Sequence, residues 1–284
     1  MCAVSTDGLV GVFASLHWEH GLATEKTTAL VLRTTDFSET SRVVVLWTRD
    51  FGKVRALAKG GRRLRSAFEV ALDLLNLCDI VLIRKASEAL DLLTEARLRE
   101  RFVHLRTHLQ AYYAACLMAE ILSICAQEND PHPQWFEETI SALRQLSGEA
   151  VYSTLLQWEV RALREVGLQP VLDHCVLCKQ PMLAASSSPS LTWSALAGGI
   201  VCSHCHVAAQ GRRQVSAHLI EQLHKLACSS AEIPDPATCL DLLDLLHDYW
   251  MQHLNVPLRL AIYFQPIRRD AGKPEGGHGY NSLS

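Results

Sequence analysis

Nowhere in this 284-residue chain do eighteen apolar residues run together, so no segment is long enough to be a membrane-spanning helix. No Lys or Arg precedes Lys26, and the apolar stretch 8–18 therefore lacks the charged leader of a secretory signal. Residues 1–24 read as a disordered extension, or as residues upstream of the true start. Without a secretory signal, the ten cysteines point to a reducing cytosol, where paired cysteines usually hold metal. The glycine pattern of a P-loop, the dinucleotide fingerprint and the nucleophile elbow are all missing, so nothing argues for nucleotide or acyl-transfer chemistry. Aromatic residues are few, at 7%, and between residues 26 and 68 they come down to Phe37, Trp47, Phe51 and Phe68.

Positive charge, by contrast, is concentrated. Between residues 26 and 65 lie ten Lys/Arg against three acids (Asp36, Glu39, Asp50), a net of +7. The whole chain is −3, so the remainder carries −10. Six of these cations (Lys53, Arg55, Lys59, Arg62, Arg63, Arg65) follow one another without an intervening acid. Such a local field most commonly meets a polyanion. Arg42 belongs to the same segment.

Hydrophobic period divides the chain. Residues 27–33 and 42–48 alternate as strands, Arg49-Asp50-Phe51-Gly52 is a hairpin turn, and 53–59 is the return strand. The runs 70–77, 79–85 and 89–96 add further strands, which suggests a small barrel or curled sheet. On the return strand Lys53, Arg55, Leu57 and Lys59 share one face, while Val54, Ala56 and Ala58 share the other. From residue 105 the spacing turns helical, with helices around 105–121, 136–146 and 150–166, the last stopped by Gly167. Two more follow beyond 215 and around 240–246. The last twenty residues have the composition of a tail.

Cys175-Val-Leu-Cys178 and Cys202-Ser-His-Cys205 are two paired-cysteine knuckles, 23 residues apart. Each bends the chain so that two thiolates converge, and two together complete a tetrahedral S4 site suited to structural Zn²⁺. Four thiolates leave no open position for catalysis. The strand-like stretches 190–193 and 198–201 between the pairs complete the layout of a zinc ribbon. His174, His204 and His206 flank the ligands and read as solvated neighbours. His17-Trp-Glu19 only faintly imitates a zinc deaminase, since no proline precedes Cys175. Cys2, Cys78, Cys116, Cys125, Cys228 and Cys239 lack partner spacing and read as core or surface thiols.

Several short matches in this order resemble the bacterial DNA repair and recombination protein RecO family. They are Ala29-Leu-Val-Leu-Arg33 with Phe37-Ser-Glu39, Thr48-Arg-Asp-Phe-Gly52-Lys53, and Ala58-Lys59-Gly60-Gly61-Arg62-Arg63 with Ser66. Further on come Gly167-Leu-Gln-Pro170 and Gly198-Gly199-Ile-Val-Cys202. The likeness spans about residues 27–205 and weakens toward 262. The chain departs from the family in its N-terminal extension and acidic C-terminal helix, and at Asn255, where the family usually has Gly.

The resemblance implies an α+β protein: an OB-fold over 25–103, a helical domain over 104–170 and 215–264, and a zinc ribbon over 171–214, with a tail from 265. It implies a non-enzymatic recombination mediator of the RecF pathway, cytoplasmic and associated with the bacterial nucleoid. Such a protein binds single- and double-stranded DNA, anneals complementary strands and helps load RecA. Its implied partners are RecR, RecF and the acidic tail of single-stranded DNA-binding protein. The expected DNA contacts are Arg42, Lys53, Arg55, Lys59, Arg62, Arg63 and Arg65; the expected zinc ligands are Cys175, Cys178, Cys202 and Cys205. With few rings nearby, phosphate should dominate over base stacking. The rival reading is a zinc-ribbon enzyme acting on nucleic acid, whose local carboxylates would be Asp36, Glu39 and Asp50.

Overall fold

Alternating small and branched apolar residues at the start of the chain produce short strands with one face to bury. In the computed structural model, which describes residues 24–62, 68, 70–85, 89–182, 189–228 and 232–266, those strands close on themselves. They are β1 (Thr24–Asp36), β2 (Arg42–Thr48), β3 (Gly52–Ala58), β4 (Leu77–Ile83) and β5 (Asp91–Glu100), in the barrel order β1-β2-β3-β5-β4. Only β3 and β5 pair in parallel. That is the five-stranded, Greek-key topology of an OB-fold. Ala29, Val31, Val44, Leu46, Val54, Ala56, Ile80, Leu82 and Leu93 fill the interior. A bulge between Val31 and Arg33 lets the long β1 bend from its pairing with β4 to its pairing with β2.

The expected strand over 70–77 is not there. Its apolar residues sit at Ala71, Leu72 and Leu75 behind Phe68, a helical spacing, and the segment coils into successive turns. Leu72 N–H donates to Phe68 O at 3.2 Å and Asn76 N–H to Asp73 O at 3.1 Å, with Leu75 at φ 66°. Phe68, Ala71 and Leu72 thereby join the barrel core instead of extending its sheet.

The helical period predicted beyond residue 105 gives α1 (Leu109–Cys125), α2 (Pro133–Gln145) and α3 (Ala150–Glu165), then α4 (Ala217–Ala227) and α5 (Pro236–Leu254). Leu117, Ile121, Phe136, Ile140, Leu155, Leu163, Leu243 and Leu246 form their common core. Between α3 and α4 lies a three-stranded sheet, ordered β7-β6-β8, of β6 (Ser190–Ser194), β7 (Gly199–Val201) and β8 (Arg212–Ser216). No sequence period predicts the third strand, because Arg212-Arg213-Gln214 is polar and β8 is an edge strand with only Val215 buried. Gly199 places its backbone against Val171, and a Cβ there would meet Val171 O at 2.2 Å.

The helical core extends onto one outer face of the barrel, whose interior is a separate apolar cluster. Leu30, Leu32 and Trp47 point outward from the barrel and are buried by the helical domain. The Trp47 ring lies 5.1 Å from Trp135 and 5.3 Å from Phe136. Gly52, at φ +67°, brings the β2–β3 turn so close that a Cβ would meet Asp130 O at 2.4 Å. The barrel is therefore seated firmly on the segment between α1 and α2. The expected N-terminal extension up to residue 23, and the tail beyond 266, lie outside the described residues.

Candidate nucleic-acid interface and metal centre

The side chains of β3 divide between the two faces as their alternation requires. Val54, Ala56 and Ala58 are buried in the barrel, while Arg55 is exposed and Lys53 and Leu57 are half-buried. The outward charges do not all face solvent, however. Lys53 Nζ donates to Ser123 O at 3.0 Å, and its backbone N–H donates to Gln127 O. Burial there, with Arg55 nearby, pulls the Lys53 amine below the usual lysine value, against the opposing charge of Glu128. Arg55 pairs with Glu128 at 2.7 Å. These two predicted site residues thus lie in the joint between the barrel and the helical domain. Arg84 and Lys85 line the same hollow of about 320 Å³, where Arg84 pairs with Asp91 at 2.8 Å and lies over the Phe51 ring.

The other cations gather at the opposite end of β2. The Arg42 guanidinium donates to Asp36 Oδ1 at 3.2 Å, and Arg62 reaches Asp36 Oδ2 at 3.4 Å. Arg62 also donates to Ser38 O at 2.7 Å, and its backbone N–H donates to Thr40 O. Two guanidiniums therefore converge on one exposed carboxylate beside the β1–β2 turn. Lys59 and Arg33 are exposed nearby in sequence and make no ion pair among the described residues. Arg63 and Arg65 lie outside the described residues.

Sequence reasoning missed the groove that continues from here. Arg33, Arg42, Leu72 and Asp73 line an open depression of about 720 Å³ between β1 and the coiled segment 72–74. Arg101 pairs with Asp73 at 3.5 Å, and Arg106 donates to Leu74 O at 3.4 Å. Both lie about thirty residues downstream in sequence of the groove segment, so a local count of charge could not group them.

The carboxylates of the rival reading are scattered. Asp36 is held by two arginines at one end of β2. Asp50, at the other end, accepts from Thr27 Oγ1 at 2.7 Å and pairs with Arg49 at 3.2 Å. Glu39 is exposed on the β1–β2 turn.

The four predicted ligand cysteines do converge. The Sγ atoms of Cys175, Cys178, Cys202 and Cys205 all lie within 4.8 Å of one another, and Cys178 and Cys202 are 3.6 Å apart. A tetrahedron of thiolates about 2.3 Å from a central ion has edges of about 3.8 Å, so the set can hold a metal ion. Cys205 N–H donates to Cys202 O and Lys179 N–H to Cys175 O, the tight turns of two knuckles. Burial opposes ionisation of Cys175, but the N–H groups of Cys178, Cys202 and Leu177 turned toward its sulfur bring that thiol down to about 6. Hydrogen bonds with Cys202 and Cys178 push Cys205 up to about 12. A cation at the centre would relieve that crowding of sulfurs. His174 bonds Asp173 at 2.6 Å, on the rim of the first knuckle.

Comparison with known proteins covers both halves of the chain. The profile of the family Recombination protein O N terminal matches residues 22–102, and that of Recombination protein O C terminal matches 106–260. A DNA repair protein RecO of Rhodopirellula baltica is 41% identical over 211 residues, 74% of this chain and 77% of that protein. One from Desulfitobacterium hafniense is 32% identical over 179 residues, 62% of this chain and 63% of the relative. One from Bacillus pumilus is 32% identical over 181 residues, 63% and 68% of the two chains.

Proposed function

The chain belongs to the RecO family, and from that premise we propose that it is a mediator of DNA repair and recombination. It binds single- and double-stranded DNA, anneals complementary strands and helps load RecA onto strands covered by single-stranded DNA-binding protein. RecR, RecF and the acidic tail of single-stranded DNA-binding protein are its proposed protein partners, and the bacterial cytoplasm, at the nucleoid, is its proposed location. It acts by binding rather than by bond cleavage.

The observation that carries this reading is the pair of arginines beside the β1–β2 turn of an OB barrel, the loop region with which such barrels bind oligonucleotides. Arg42 and Arg62 lie within 3.4 Å of Asp36, with Lys59 following the end of β3. A phosphate oxygen has the charge and the acceptor geometry of the Asp36 carboxylate, and both guanidiniums already point at such an acceptor. Arg63 and Arg65 extend the cationic stretch along the sequence. Lys53 and Arg55 add positive potential at the barrel's other end, and DNA that reaches Arg55 competes with Glu128 for it.

Zn²⁺ is the ion proposed for the four thiols, and when bound it supplies a structural cross-link between the knuckles. Cys175 and Cys178 hold it from one side, Cys202 and Cys205 from the other. Val171, hydrogen-bonded to Gly198 and Ile200, ties that unit to the end of α3.

The test is the salt dependence of single-stranded DNA binding. If about six cations meet phosphate, log K falls against log salt with a slope of roughly −4. Replacing Arg62, Arg63 and Arg65 with Ala should weaken binding and reduce the slope's magnitude by about 2. Unchanged affinity and slope would remove the arginines from the interface.

A further inference from the structure

Phosphate contacts do not distinguish a single strand from a duplex; an exposed ring can. Of the four aromatic residues in the cationic region, Trp47 is fully buried and Phe68 is 6% exposed. Phe51 is half-buried with the Arg84 guanidinium 5.1 Å above its ring. Phe37 alone among them stands in solvent, at 65% exposure.

Single exposed apolar side chains are ordinary on protein surfaces. The setting of Phe37 is less so. It opens the turn between β1 and β2, immediately after Asp36. Its N–H donates to Ser41 O at 3.1 Å, and Ser38 N–H donates to the same oxygen. Ser41 N–H returns to Ser38 Oγ at 3.2 Å, and Arg62 clamps the turn through Ser38 O and Thr40 O. The ring is thus carried on a braced turn, so little ordering entropy is lost when it meets a flat partner. The neighbouring guanidiniums of Arg42 and Arg62, which converge on Asp36, are the groups that would hold a phosphate next to that ring.

We propose that Phe37 stacks on one unpaired nucleobase and so gives the interface a preference for single strands. This rests on the nucleic-acid reading above and deepens it. In a duplex both faces of a base are covered by its neighbours, so the ring finds no partner. In a single strand every base presents a π-face, and stacking on it tolerates any sequence. Phosphate contact still supplies most of the affinity, and Phe37 supplies the discrimination.

The experiment compares three probes on the full chain: oligothymidylate, an abasic oligonucleotide of the same length, and a duplex. Phe37→Ala should weaken oligothymidylate binding about tenfold, while its salt slope stays as in wild type. Abasic and duplex affinities should be unchanged, and Phe37→Trp should restore oligothymidylate binding. Equal losses on all three probes would overturn the inference and make Phe37 a structural brace of the turn. Full oligothymidylate affinity in Phe37→Ala would also overturn it, leaving the ring to a protein partner. Failure of the wild-type chain to bind any probe would overturn the nucleic-acid reading as well, which separates the two claims.

Discussion

Asn255 ends α5 in the left-handed conformation, at φ 52° and ψ 32°. Glycine is the residue that adopts this backbone without steric cost, and Asn is the usual substitute. Asn255 therefore caps the helix in the backbone geometry that Gly most often takes. Asn255→Gly should leave stability within a few tenths of a kcal/mol, whereas the β-branched Asn255→Val should cost about 1–2 kcal/mol. Denaturant unfolding of the two variants checks this, and equal stability of Val and Gly would mean that the cap carries no strain. Gly52 has a similar backbone, but its reason is different. Its turn was legible from Arg49-Asp50-Phe51-Gly52, yet the close approach of Asp130 was not, because that contact joins residues far apart in sequence. Lys53 and Arg55 show the same limit. Alternation along β3 put them correctly on the outer face, but only the fold brings Ser123 and Glu128 to meet them.

At the scale of elements, period was the reliable guide, and it misled only where it was misread. The barrel strands, the five helices and the two knuckles followed from alternation, helical spacing and paired cysteines. The density of apolar residues over 70–77 predicts a strand, but their spacing from Phe68 is that of a turn of helix. β8 escaped because an edge strand with one buried residue carries almost no periodic signal. The sheet it completes sharpens what metal loss should do. Trp193 on β6 is fully buried, 5.6 Å from Tyr249, and Leu191 and Ile200 pack into the helical core. The sheet is thus held from the helical side, while the knuckles have only a small apolar cluster around Cys175, Val201, Cys202 and Ala209 beside their four thiols. Cys178→Ser should abolish stoichiometric zinc and expose the amides of 175–178 and 202–205 to hydrogen exchange, while β6 stays protected. A zinc content near one per chain in that variant would show that the four thiols are not the ligands. Loss of protection throughout β6 would show that metal, rather than the helical core, holds the sheet.

At the scale of the whole molecule the sequence separates charge, +7 in residues 26–65 against −10 elsewhere. Under the proposed function that separation would turn the barrel toward the polyanion and the acidic remainder away from it. For annealing, that orientation has a consequence beyond affinity. Two complementary strands repel through their phosphates, and a cationic surface that neutralises one of them lowers the barrier to encounter with the other. Under the same proposal the acidic remainder would repel a strand that approaches from elsewhere, so productive encounters would concentrate at the barrel. Salt acts oppositely on the two routes to duplex. It screens strand–strand repulsion and so speeds spontaneous annealing, but it displaces the protein from DNA. The acceleration by the protein should therefore be largest at low salt and shrink steeply between about 50 and 200 mM. The variant lacking Arg62, Arg63 and Arg65 should show a smaller acceleration at low salt and a shallower decline, measured by fluorescence quenching of paired labelled oligonucleotides. An acceleration that is independent of salt, or equal in the variant, would mean that annealing does not depend on this concentration of charge.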